Sequence, residues 1–138
     1  MSFHLSSIGG ARKKSKNYLF QALRFGESHD IHEEILAEKN PMKAKWKAKA
    51  RKEEMIVEPL SEEDLDNMRL VLKLKLDRHK DVQKKLRDTR QSQIVEDCSN
   101  RPGGSGLFWG AKLESGSVLT AGEWTGKNWL GRIWMELR

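Results

Sequence analysis

The sequence predicts a mainly α-helical protein, because apolar residues recur at helical spacing in two places and one helix start is clearly marked. The first apolar stripe consists of Leu65, Met68, Leu72 and Leu76. The second consists of Leu130, Ile133, Trp134 and Leu137. Before the first stripe, Ser61 is followed by three acidic residues, the pattern of a hydroxyl N-cap with a negatively charged first turn. The sequence therefore predicts a helix that begins after Ser61.

The other predicted helices are shorter. Residues 17–25 should form a helix that ends at Gly26, since glycine readily adopts the backbone conformation that ends helices. Asp30 is the predicted N-cap of a second helix, which should end near Asn40 because proline disfavours helix at the residue before it. Pro41 suits the first turn of a third helix. Residues 82–86 indicate a further short helix and residues 128–138 the last one.

Composition excludes several classes of protein. The chain has 138 residues, a single-domain length, and its five tryptophans are not typical of a disordered protein. Cys98 is the single cysteine and cannot form an internal disulfide, which favours a reducing compartment. Because the chain has no apolar run of signal-peptide or membrane-span length, we expect a cytoplasmic protein without a membrane partner.

The net charge of +6 favours nucleic acid as a partner. The basic residues are dispersed, however, with runs only at 12–16 and 43–52. Residues 1–16 are predicted to be a flexible or divergent N-terminal arm, and the lysine-rich run 43–52 is interpreted as a solvated helix face. Nucleic acid is therefore kept as the alternative partner.

Common catalytic and metal signatures are absent from the sequence. It contains no P-loop, no HExxH helix and no cysteine cluster for zinc, and its four histidines are scattered. We therefore expect no metal site and no cofactor.

The region between Glu96 and Asn128 combines features that suit a nucleotide-like ligand. It contains adjacent carboxylates, a glycine-rich loop and aromatic residues, and it enters the last helix. A helix N-terminus can hold a phosphate, aromatic rings can stack on a base, and carboxylates can assist glycosidic cleavage. The alternative interpretation places Trp109 and Trp124 in the core and makes Asn128 a helix cap.

Six segments resemble, in order, motifs of the NADAR superfamily of YbiA-like proteins. They are residues 20–25 (FQALRF), 40–45 (NPMKAK), 68–75 (MRLVLKLK), 94–99 (IVEDCS), 108–110 (FWG) and 126–138 (GKNWLGRIWMELR). The resemblance implies a single domain over residues 17–138, mainly helical with a few short β-strands. It also implies a hydrolase that cleaves an N-glycosidic bond in a ribosyl nucleotide. The implied substrates are an ADP-ribosylated base or nucleotide, or a phosphoribosylated intermediate of riboflavin biosynthesis.

The motifs, the position three residues before FQA and the region between Glu96 and Asn128 together supply candidate site residues. The candidate catalytic residues are Glu96, Asp97, Glu123 and Asn17. The candidate ligand-binding residues are Phe20, Gln21, Arg24, Trp109, Gly110, Trp124, Lys127, Asn128 and Gly131. Loop hydrogen bonding is the alternative role for the two adjacent carboxylates, and a surface salt bridge is the alternative to a phosphate contact for Arg24.

Asn17 departs from the family pattern, which usually has glutamate three residues before the phenylalanine of FQA. An amide does not ionise in the ordinary pH range, so it cannot serve as a general acid or base. The alternative function is therefore a catalytically impaired module that binds ADP-ribose, NAD or nucleic acid. The oligomeric state is not predicted.

Overall fold

The computed structural model describes residues 2–4, 16–26, 29–114 and 123–138, with side chains from Tyr18 onward. The chain folds as two compact units. Residues 12–75 form the first, which we call the helical unit. Residues 1–11 and 76–138 form the second, which we call the mixed unit. The mainly helical class predicted from the sequence is confirmed. The expectation of one domain over residues 17–138 stays a prediction.

The helical unit is built on four helices and a short 3₁₀ turn. They are α1 (Lys16–Leu23), α2 (Asp30–Ala37), α3 (Pro41–Ala50), the turn at Lys52–Glu54, and α4 (Glu62–Arg78), whose last residues belong to the mixed unit. The buried cluster of this unit consists of Tyr18, Ala22, Phe25, Ile31, Ile35, Ala44 and Ala48. The two alanines, one turn apart on α3, let this helix pack closely because they have no side chain beyond Cβ.

Two helix starts in this unit follow the sequence pattern. The Asn40 Oδ1 atom caps α3 by accepting from the Met42 and Lys43 N–H groups at 2.9 and 3.3 Å. The Ser61 hydroxyl accepts from the Asp64 N–H at 3.3 Å, as the predicted N-cap requires. The expectation for α2 is wrong by one residue. His29 has the extended backbone of an N-cap, and its Nδ1 atom accepts from the Ile31 N–H at 3.3 Å. Asp30 is already helical, although its carboxylate accepts from the same N–H at 2.9 Å.

A buried ion pair joins the turn directly after α1 to α4. The Arg24 Nε and Nη2 atoms donate to the two carboxylate oxygens of Asp64 at 2.9 and 2.7 Å. The Asp64 carboxylate is fully buried and also accepts from the Leu60 N–H at 2.9 Å. Leu60 has a positive φ of 66°, so this hydrogen bond stabilises a strained turn before α4. Asp64 therefore anchors both Arg24 and the loop that leads into the helix.

The mixed unit contains all the described strands and three further helices. In chain order they are β1 (Ser2–His4), α5 (Lys80–Asp88), β2 (Gln93–Val95), α6 (Gly106–Trp109), β3 (Lys112–Leu113), β4 (Trp124–Thr125) and α7 (Trp129–Leu137). Strands β1 and β2 pair in parallel, with Phe3 opposite Ile94, and β3 and β4 pair antiparallel, with Leu113 opposite Trp124. The two short sheets agree with the few strands that the family resemblance implies.

The predicted N-terminal arm is described only in part. Ser2–His4 form β1, and residues 5–15 lie outside the described residues. Within the described ranges, no helix is both long and apolar enough to cross a membrane.

We expect Asp64→Ala to destabilise the protein by about 3–5 kcal/mol, because it leaves a largely buried arginine without its partner. The matched control is Asp66→Ala on the same helix, which removes an exposed ion pair with Arg69 and should cost less than about 1 kcal/mol. The free energy of unfolding from urea titrations measures both changes. Equal losses for the two variants would contradict the central role of Asp64.

Candidate active site

The centre of the candidate site is the end of strand β2, which Asn128 holds in place. The Asn128 side chain donates from Nδ2 to the Ile94 carbonyl oxygen and accepts at Oδ1 from the Glu96 N–H, both at 2.9 Å. Its own N–H donates to the Gly110 carbonyl oxygen at 3.0 Å. Asn128 has a φ of 53°, a left-handed conformation that asparagine tolerates better than most residues. One buried side chain thus joins β2 to the start of α7, and its backbone joins both to the FWG segment.

Asn128 occupies the N-cap position of α7, as the alternative interpretation expected, but its side chain does not cap that helix. Both polar atoms of the amide are bonded to the backbone of residues 94 and 96 instead. A long-range role of this kind leaves no local signal in the sequence. Its action as a ligand contact stays a prediction.

Two glycines of the predicted site allow the backbone segments to approach one another. A Cβ atom on Gly131 would lie 2.2 Å from the Ile94 carbonyl oxygen and 2.4 Å from the Asn128 amide nitrogen. A Cβ atom on Gly110 would lie 2.4 Å from the Glu96 carbonyl oxygen. Any side chain at either position would push β2 away. These glycines therefore determine where Glu96 is presented.

Glu96 is partly buried directly after β2. Burial raises the pKa of its carboxyl group, and the neighbouring negative charge of Asp97 raises it further. Within the described part of the chain, no group forms a hydrogen bond or ion pair with this carboxyl. A carboxyl group with these properties retains its proton to higher pH than an ordinary glutamate, which suits a general acid.

Among the residues that the structure describes, the carboxylate of Asp97 is hydrogen-bonded, unlike that of the adjacent Glu96. Its Oδ1 atom accepts from the Ser99 N–H at 2.9 Å and from the Ser99 hydroxyl. That hydroxyl in turn accepts from the Leu113 N–H at 2.9 Å, which connects the loop to β3. The geometry is the loop hydrogen bonding that the sequence analysis left open as the alternative role.

Aromatic side chains of the FWG segment and of α7 lie close together. The rings of Phe108 and Trp109 meet edge to face with centroids 4.9 Å apart, and Trp129 lies 6.5 Å from Phe108. The Lys127 Nζ atom stands 5.6 Å from the Phe108 centroid, a cation–π contact. Phe108 and Trp129 were not among the predicted site residues, although both belong to the matched motifs. Trp109 and Trp124 are partly buried, so neither is a fully buried core tryptophan.

Glu123 lies directly before strand β4. Its carbonyl oxygen accepts from the Glu114 N–H at 2.8 Å, and its side chain is exposed. The described residues therefore give Glu123 a backbone role in the β3–β4 hairpin. Its catalytic role stays a prediction.

The four remaining candidates belong to the helical unit. Arg24 forms the bidentate pair with Asp64, lies 4.7 Å above the buried ring of Phe20, and donates to the Gln21 Oε1 atom at 3.4 Å. This is the salt bridge that was the alternative to a phosphate contact, but it is buried rather than on the surface. Asn17 lies on α1, and its side chain is outside the described part of the structure.

A separate cavity of about 280 Å³ in the mixed unit contains none of the predicted site residues. It is lined by Leu76, Asp77, Gln83, Leu86, Arg87, Leu137 and Arg138. Among the described residues there is no group of three side chains that could hold a metal ion. The cavity therefore lies apart from the candidate site, and the described residues give no metal site to it.

Comparison with known proteins identifies the family of the chain. The model of the NADAR domain matches residues 7–138, which is nearly the whole sequence. The family resemblance read from the motifs is therefore confirmed. No curated protein and no solved structure matches the chain.

We expect Asn128→Ala to destabilise the protein strongly. It leaves the Ile94 carbonyl and the Glu96 N–H without a partner, at about 1–3 kcal/mol for each buried group, and it places alanine at a left-handed position. The control is Asn100→Ala in an exposed loop, which should change the free energy of unfolding by less than about 0.5 kcal/mol. A loss for Asn128→Ala no larger than for the control would contradict the role of the amide.

The pKa of Glu96 predicts how stability depends on pH. Because folding raises this pKa, the folded chain binds the proton more tightly than the unfolded chain does. The resulting stabilisation is fully present below the ordinary glutamate pKa of 4.5 and is lost as pH rises through the raised value. Glu96→Gln removes this loss, so the stability of the variant relative to wild type should increase as the pH rises above 4.5. Urea unfolding across this range measures the difference, and a pH-independent difference would contradict it.

Asn100→Ala again serves as the control, because it removes no titratable group. Its difference from wild type should remain constant over the same pH range.

Proposed function

The chain belongs to the NADAR domain family, and from this premise we propose that it is a hydrolase that cleaves the N-glycosidic bond of a ribosyl nucleotide. The observation that carries the proposal is Glu96, a partly buried carboxyl group with a raised pKa at the end of β2. A family membership alone does not select a residue. The environment of Glu96 does so, because shifted pKa values are concentrated at catalytic positions.

The proposed reaction uses Glu96 first as an acid. Protonated Glu96 donates its proton to the leaving nucleobase nitrogen as the bond from that nitrogen to the anomeric carbon breaks, and the bonding electron pair stays with the base. The sugar then has oxocarbenium character. Water adds to the anomeric carbon and transfers a proton to the Glu96 carboxylate. This step restores the acid and releases a free base and a ribosyl product.

Asp97 has a positioning role in this proposal. Its contact with Ser99 holds the loop after β2, and its negative charge favours the protonated form of Glu96. Asn128 contributes in the same way, since it bonds to the Glu96 N–H and thereby fixes the backbone from which the carboxyl group projects. Both residues act on the reaction through Glu96.

The neighbouring groups suit the parts of a nucleotide. The edge-to-face pair of Phe108 and Trp109 supplies partly buried aromatic surface for a base, and Lys127 supplies an exposed cation for a phosphate. The substrate classes that we propose are an ADP-ribosylated base or nucleotide and a phosphoribosylated intermediate of riboflavin biosynthesis. Both contain the base, ribose and phosphate that this set of groups could recognise.

We expect Glu96→Gln to lower kcat by about 100-fold or more, because glutamine cannot donate or accept the transferred proton at the required steps. Release of free base from each substrate class, followed by chromatography, measures the rate. Glu63→Gln, an exposed change on α4, is the matched control and should leave the rate within about twofold. Wild-type turnover that Glu96→Gln does not reduce would overturn the assignment of Glu96.

Asn17 gives a second test, because the family usually has glutamate at this position. We expect Asn17→Glu to raise kcat, since an ionisable carboxyl group would replace a neutral amide. Binding of ADP-ribose without turnover by wild type and by Asn17→Glu would support the alternative of a binding module. If wild type and Asn17→Glu both fail to bind and to turn over the substrates, the proposed hydrolase is excluded.

A further inference from the structure

Helix α3 carries an aromatic residue where a surface helix normally has polar ones. Trp46 is 59% exposed, and Met42, one turn before it, is 49% exposed. The buried side of the helix is formed by Ala44 and Ala48. Because an α-helix turns about 100° per residue, Trp46 points almost directly away from that buried side. The tryptophan therefore stands at the centre of the solvent-facing surface of α3.

Three cations surround this tryptophan. Lys43, Lys45 and Lys49 are exposed, and none of them forms an ion pair with a described residue. Lys47, which lies between Lys45 and Lys49 in sequence, differs from these three because it forms an ion pair with Glu38 at 2.8 Å. The three lysines span about 9 Å along the helix axis at 1.5 Å per residue. The face formed by Met42, Lys43, Trp46, Lys45 and Lys49 is thus positively charged with an aromatic centre, and we call it the α3 face.

We propose that the α3 face binds single-stranded nucleic acid, with Trp46 stacking on a base and the three lysines contacting backbone phosphates. The three lysines form no ion pair with a described residue, so their positive charge is available to a negatively charged polymer such as the phosphate backbone of a nucleic acid. The exposed indole selects unpaired bases, because in a duplex the faces of the bases are already stacked on one another. This binding is independent of the hydrolysis proposed above and uses residues of the helical unit only.

An anionic membrane is the other polyanionic surface that a basic helix could meet. Helices that lie in a membrane interface bury a broad apolar face, with several large side chains along one side. On α3 the large apolar residues with exposed side chains are only Met42 and Trp46, and the opposite side is closed by the packing of Ala44 and Ala48. The face is too narrow for a membrane, whereas one tryptophan is sufficient to stack on one base.

Fluorescence anisotropy with a labelled oligothymidine of about 12 nucleotides tests the proposal with the full chain. Trp46→Ala should weaken binding by about tenfold or more, and Trp46→Phe should restore much of it because phenylalanine keeps a flat ring for stacking. The triple change Lys43→Gln, Lys45→Gln and Lys49→Gln should weaken binding and lower the salt dependence. Its slope of log affinity against log salt should decrease by about 2, as expected for the loss of three phosphate contacts.

The charge-matched control is Lys80→Gln, Lys84→Gln and Lys85→Gln on α5, which removes the same charge from another helix and should change the affinity by less than about threefold. Thermal unfolding confirms that each variant is folded. Equal losses from the two triple changes, no effect of Trp46→Ala, or equal affinity for the corresponding duplex would overturn the proposal. Binding to phosphatidylserine vesicles without binding to the oligonucleotide would also overturn it, in favour of a membrane.

Discussion

The candidate site depends on the hydrogen bonds between the Asn128 side chain and the backbone of residues 94 and 96. One amide satisfies a carbonyl and an N–H group at the point where β2 ends, and unsatisfied groups there would be costly because they are buried or partly buried. The same residue starts α7 and bonds to Gly110, so the matched FWG and GxN motifs meet through it. The position and environment of Glu96 follow from this arrangement.

The glycines of these motifs belong to the same constraint. Gly131 lies against the Ile94 carbonyl and Gly110 against that of Glu96, so neither position has room for a side chain. Small residues in a ligand-binding motif are often read as space for the ligand. Here the space is occupied by another segment of the same chain, and the motif residues build the support on which the acidic group is presented.

The helical unit has a comparable anchor in the ion pair of Arg24 with Asp64. The charge of Arg24 is neutralised within the fold, whereas Lys43, Lys45 and Lys49 form no ion pair with any described residue. The net charge of +6 therefore says little by itself about partners. The availability of a cation to a partner depends on whether it is already paired within the fold. The structure distinguishes a buried, paired arginine from the exposed lysines around Trp46.

The sequence by itself determined the helical class, the helix starts at Pro41 and after Ser61, and the family, because spacing, proline and capping residues, and contiguous motifs are local features of the chain. It also selected the segment that contains Glu96. It did not determine that Asp64 is a buried partner of Arg24, that Asn128 bonds to β2 rather than capping α7, or that Trp46 faces solvent. Only the tertiary structure decided these points, because each depends on residues up to 40 positions apart meeting in space, or on which side of a helix is covered. No local pattern encodes that information.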